Sequence, residues 1–152
     1  MTKEKFIADA NIGLRILVGN KDIEAASTPE LKERQQQIVQ DTLTLIRKVA
    51  EGKITLKFPD AVVEEMVFVL QKIYGLDRAE ISSKILALIE AENVESSETI
   101  RETLRQYATV SLDLVDIKLS VESAEQNIPV LTWDKGFSKL SNCEYYAPSD
   151  VI

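Results

Sequence analysis

No histidine occurs anywhere in the chain, and its one cysteine, Cys143, has no partner of its kind. The first absence removes serine–histidine and cysteine–histidine nucleophile pairs. Together the two remove a cysteine/histidine zinc site and any internal disulfide, so a reducing, cytoplasmic setting is expected. Long apolar runs are missing as well: nothing approaches the roughly 20 residues that span a bilayer. The start, MTKEKFIADAN, passes from charged residues directly into a short apolar stretch with no signal-peptide pattern. No membrane partner is expected. Positive charge is scarce too. Against 25 Asp and Glu stand 18 Lys and Arg, a formal charge of −7, which argues against a protein that holds nucleic acid by a broad basic surface. Any such contact must be local or metal-assisted.

What is present is an ordinary globular balance, 45% hydrophobic and 28% charged over 152 residues. That is enough chain to bury a core without a disulfide or structural metal. No repeat, low-complexity tract or long linker divides it, so residues 1–152 read as a single domain. Phe6–Ala8 reads as a strand and Asn11–Val18 as a helix with Ile12, Ile16 and Leu17 at helical spacing. Thr28 and Pro29 form a favoured N-cap and first helical position for a long charged helix ending at Gly52. Ile54–Phe58 is a second strand. Asp60 is expected to cap an apolar helix, Ala61–Ile73, and Asp77 to cap another that runs to about Ala91. Val94 marks a short strand, Ser97–Ala108 and Asp113–Gln126 are helices, and Ile128–Thr132 and Glu144–Ala147 are closing strands. Strands alternating with helices predict an α/β fold with a parallel sheet covered on both faces.

In an open α/β sheet, ligands bind outside the carboxyl ends of the strands, which directs attention to acids just after a strand. Asp9 and Asp134 both qualify, although an N-cap and a turn are equally ordinary uses of aspartate there. In VVEEMVFVL two glutamates interrupt an apolar helix. At about 100° per residue, a stripe of Val62, Val63, Met66, Val69, Leu70 and Ile73 turns Glu64 to water and leaves Glu65 at the stripe's edge. A carboxylate there needs a cation or hydrogen-bond donor; a lysine or the solvent boundary would serve as well as a metal. In SLDLVDIKL, Asp113 and Asp116 lie three apart on one helical face, where capping and complementing the macrodipole would explain them locally. Acids from four segments converging on one sheet edge would repel unless hard divalent cations such as Mg²⁺ or Mn²⁺ were bound. Such ions activate water and stabilise a leaving oxygen, supplying phosphodiester hydrolysis without histidine.

Taken in order, FIADAN, EMVFVL, LDLVDIKL and LTWDKGF resemble the PIN-domain nucleases, especially toxin ribonucleases of the VapC type, over about Lys5–Ala147. The resemblance implies a three-layer α/β/α sandwich on a central, mainly parallel sheet of four to five short strands. It implies metal-site roles for Asp9, Glu65, Asp116 and Asp134, supporting roles for Asn11 and Thr132, and a secondary acid at Asp113. Ala10 stands where threonine is frequent, Trp133 where a smaller residue or phenylalanine is, and the helical segment 28–53 is long. The implied activity is a Mg²⁺- or Mn²⁺-dependent endoribonuclease, the toxin of a type II toxin–antitoxin pair, with RNA as substrate and an antitoxin and a second copy of the chain as protein partners. Arg15, Lys118, Lys135 and Lys139 are candidates for phosphate contact, and Trp133 for stacking on an unpaired base; surface solvation and packing are their ordinary roles. A non-catalytic PIN-like scaffold, a structure-specific DNA nuclease and a phosphatase use the same acids differently.

Overall fold

Every strand in the computed structural model pairs in parallel, but in two separate sheets. Residues 4–25, 28–140 and 143–152 are described. The first sheet has the order β1 (Glu4–Ile7), β2 (Ile54–Lys57), β3 (Val94–Glu95), with Phe6 opposite Leu56 and Leu56 opposite Val94. The second pairs β4 (Val130–Leu131) with β5 (Tyr145–Tyr146). A single sheet of four to five strands is therefore not what forms. Part of the reason lies in β4. Its Val130 and Thr132 N–H groups donate to the Glu144 and Tyr146 carbonyls of the β5 side. Alternate residues face the opposite edge, where Pro129 has no N–H to offer, so little remains to recruit another strand.

Between the strands run α1 (Ala10–Ala25), α2 (Pro29–Ala50), α3 (Asp60–Lys72), α4 (Arg78–Ile89), α5 (Glu98–Tyr107) and α6 (Leu114–Gln126). After β4 comes a 3-10 helix, Lys135–Lys139, and the chain closes with α7 (Pro148–Val151). Local chemistry accounts for most boundaries. Thr28, Asp77 and Ser97 accept the N–H groups of Leu31, Glu80 and Ile100, the first two as the expected caps and Ser97 as a cap where the first helical residue was expected. Gly52, at φ +76°, takes the left-handed position that ends α2. α1 continues past the expected Val18, which instead carries a non-helical kink (φ −135°, ψ 17°).

The core gathers Leu56 and Phe58 with Val63, Met66, Val67 and Leu70 of α3, Ile81, Ile85 and Ile89 of α4, Ile100 and Leu104 of α5, and Ile117 of α6. Gly13 lets α1 lie close on α3, since a Cβ there would meet Met66 Cε at 2.5 Å and Phe58 Cε1 at 3.1 Å. This packing sets the start of α1, and Asp9 before it, beside α3. No helix among the described residues is long and apolar enough to cross a membrane.

Candidate functional site

Asp9 stands between β1 and α1. Its Oδ1 accepts the Ala10 N–H at 2.7 Å and its carbonyl the Ile12 N–H at 3.1 Å, so it helps to start the helix. Asp134 does the same after β4: its Oδ1 accepts the Gly136 N–H at 2.7 Å, while its own N–H donates to Thr132 Oγ1 at 2.9 Å. Thr132 thus steadies the backbone of Asp134. Gly136 sits tightly against this turn, because a Cβ would come within 3.0 Å of both Asp134 Oδ1 and Leu112 Cδ2. That close approach brings the Asp134 turn against the segment leading into α6.

Asp113 occupies the N-cap position of α6 but makes no side-chain cap bond, and Asp116 lies in the first turn. A carboxylate at a helix N-terminus is ordinarily favoured in its charged form. Asp116 departs from that rule. Burial, then the negative charges of Asp134 and Asp113, push its carboxyl above the usual range. Asp113 thus stands at the cap position without making the cap bond, and Asp116 stands in the first turn with burial and like charge acting against its ionised form.

On α3 the two glutamates exchange their expected roles. The buried residues are Val63, Met66, Val67 and Leu70, whereas Ile73 is exposed and Val62 and Val69 are only half-buried. Centred on the observed set, at about 100° per residue, Glu64 lies about 110° from the middle of the buried face and Glu65 about 150°. Glu65 is exposed. Glu64, its side chain 28% exposed, receives Lys118 Nζ of α6 at 2.9 Å. The same ammonium reaches Asp60 Oδ2 at 3.4 Å. Burial alone would lower the pKa of Lys118; its two carboxylate partners more than reverse that. Glu64→Gln should therefore lower stability by about 1 kcal/mol, read as a fall in Tm of about 2–4 °C. Glu65→Gln should leave the melting curve in place. Equal Tm values for the two variants would contradict this assignment of faces.

Lys118, expected as a phosphate contact, is instead committed to clamping α6 to α3. Arg15 donates to Gln35 Oε1 at 2.6 Å and links α1 to α2. Lys135 and Lys139 are exposed, as is Asn11 on the first turn of α1. Trp133 is 82% exposed, which rules out the packing role. Asp60, expected to be an N-cap, is the first residue of α3 behind Pro59, and accepts the Ser97 hydroxyl at 2.6 Å. It follows β2 as Asp9 follows β1, so the strand-end rule pointed at it equally. Arg78, which the sequence did not single out, donates to the carbonyls of Tyr107, Val110 and Leu112 and stacks 3.8 Å over the Tyr107 ring.

The structure thus brings Asp116, Asp134 and Asp113 into one electrostatic neighbourhood. Asp9 and Glu65 are not among the groups that raise Asp116: Asp9 lies just before α1 and Glu65 on the exposed side of α3. Among the described residues, no three acidic or cysteine side chains are close enough together to ligate one ion. No family model, curated protein or solved structure matches the chain.

Proposed function

We propose that this chain is a Mg²⁺- or Mn²⁺-dependent endoribonuclease on the PIN-like plan, hydrolysing RNA phosphodiester bonds at Asp116 and Asp134, with Asp9, Glu65 and Asp113 as accompanying acids. The observation that carries the reading is the setting of Asp116, a partly buried carboxylate on the wall of a cavity it shares with Asp113, raised by burial and then by the charges of Asp134 and Asp113, with no lysine or arginine paired to it among the described residues. A divalent cation would remove that repulsion. The donors fit: hard cations take carboxylate oxygens, and Mg²⁺ needs only one or two, completing its shell with water and phosphate oxygens rather than a closed protein cage. Asp116 and Asp134 would hold the ion, with Asp113 beside them. When bound, it supplies an activated water and a counter-charge for the leaving oxygen.

The chain's own residues do the positioning. Thr132 and the Gly136 N–H fix the Asp134 turn, and Lys118 holds the helix that carries Asp116 against α3. Trp133 offers an open aromatic face for an unpaired base. The likeness to VapC-type toxins extends the proposal to the toxin half of a type II toxin–antitoxin pair, with a protein antitoxin and a homodimer. Exposed Leu31, Leu43 and Ile46 along α2 provide apolar surface for such partners.

The test is to incubate the full chain with single-stranded RNA, single-stranded DNA and p-nitrophenyl phosphate, each with Mn²⁺ and with EDTA. Cleavage of RNA alone, and only with Mn²⁺, is expected. Equal cleavage of DNA would make it a general nuclease, and turnover of the phosphate monoester alone a phosphatase. No turnover of any substrate would leave a binding or scaffold module.

A further inference from the structure

A cavity of about 460 Å³ opens between α3 and the first turn of α6, with Asp113 and Asp116 on its α6 side. This volume is in the range of small-molecule sites. On the α3 side stand Glu64, Phe68 and Gln71, whose i, i+4, i+7 spacing puts them on one stripe. Glu64 is engaged by Lys118, so the groups this wall offers a ligand are the Phe68 ring and the Gln71 amide. Phe68 is 59% exposed. Leaving a phenylalanine so open forgoes much of the stabilisation that its burial would contribute. Gln71 carries both a donor and an acceptor on one planar group. Lys72, exposed, adds a positive charge at the cavity's edge.

An open aromatic face, a planar amide and a cation, next to acids proposed to bind a metal, match the parts of a nucleotide: the base ring, its hydrogen-bonding edge and its phosphate. We propose that this cavity is a subsite for one unpaired nucleobase of a single-stranded RNA, stacked on Phe68, read along an edge by Gln71, with Lys72 toward the neighbouring phosphate. This rests on the ribonuclease reading and adds a selectivity to it. A base inside a duplex is already stacked and cannot enter a side cavity without being extruded, so the subsite selects single strands. With a chain charge of −7, non-specific attraction is weak, and the stacking contribution should be visible in binding.

The experiment is fluorescence anisotropy of labelled single-stranded homo-oligoribonucleotides with the 152-residue chain in EDTA, where the reading expects no cleavage. Removing an aromatic stacking partner weakens binding by about 5- to 150-fold. A loss in that range is expected for Phe68→Ala, and near-wild-type binding for Phe68→Tyr. Ile73→Ala, an exposed apolar residue outside the cavity, should bind as wild type. Gln71→Ala should change the order of preference among the homopolymers, and duplex RNA should not compete. The proposal is overturned if Phe68→Ala binds as tightly as wild type, if Ile73→Ala loses as much, if duplex competes equally, or if wild type binds no single strand. Cleavage assays in Mn²⁺ separate the two ideas. Phe68-dependent binding without any RNA cleavage keeps the subsite and refutes the ribonuclease; cleavage with an unchanged KM in Phe68→Ala does the reverse.

Discussion

Asp116→Asn should reduce Mn²⁺-dependent RNA cleavage by at least about 100-fold and, in the metal-free protein, make the fold more stable. The two effects have one cause. In the folded chain the Asp116 carboxyl is raised by burial and by the charges of Asp134 and Asp113, so the native state binds its proton more tightly than the unfolded state does. Linkage then requires stability to fall as pH rises from the ordinary aspartate range through the raised native value. At neutral pH the whole penalty is present, and asparagine removes it. Melting curves of wild type and Asp116→Asn should coincide at pH values below the ordinary carboxylate pKa and separate above it, with the variant higher by about 1–3 °C at pH 7. Mn²⁺ should raise the Tm of wild type through binding to the native state and leave that of the variant nearly unchanged. A variant that melts lower at pH 7, or that still cleaves RNA at the wild-type rate, would contradict the account of Asp116.

Arg78→Ala should cause a large loss of stability, about 3 kcal/mol, or about 6–12 °C in Tm. One guanidinium serves the carbonyls of Tyr107, Val110 and Leu112 and covers the Tyr107 ring. These are the last residue of α5 and two in the turn that delivers Asp113 and Asp116 to their place. Alanine leaves partly buried carbonyls without a donor. Lysine restores a charge but not the planar fork, so Arg78→Lys should recover less than half of the loss. Chemical denaturation of the three proteins checks this. A change under 1 kcal/mol for alanine would show that water replaces the guanidinium fully.

Where local chemistry sets the structure, the sequence was readable. Thr28 and Asp77 cap the helices they were expected to cap because an N-cap depends on residues within one turn. The faces of α3 were not readable in the same way. In VVEEMVFVL, apolar residues occur all round the helix, and periodicity cannot locate the centre of a stripe that nearly encircles it. Val67 rather than Val69 and Ile73 proved to be buried, and that rotation turned Glu64 inward and Glu65 outward. Lys118 looked available because its partners, Asp60 and Glu64, are more than fifty positions away and on another helix. The division of the strands between two sheets was equally hidden, since β4 is two residues long and hydrophobic pattern does not say which neighbour it will choose.

For the candidate site, strand ends drew attention to Asp9 and Asp134 and spacing drew it to Asp113 with Asp116. Only the folded chain shows that Asp116 and Asp134, from separate elements, repel each other. It also shows that Asp113 leaves its capping bond unmade, and that Trp133 faces solvent. The mutual repulsion is what a bound cation would relieve, and it is the part of the account on which the proposed chemistry depends.

Crystals of this chain soaked in Mn²⁺, with anomalous data collected near the manganese edge, test that dependence most directly. A peak within bonding distance of carboxylate oxygens of both Asp116 and Asp134 is the predicted result. No peak there at saturating Mn²⁺, or peaks only at carboxylates elsewhere on the surface, would contradict it.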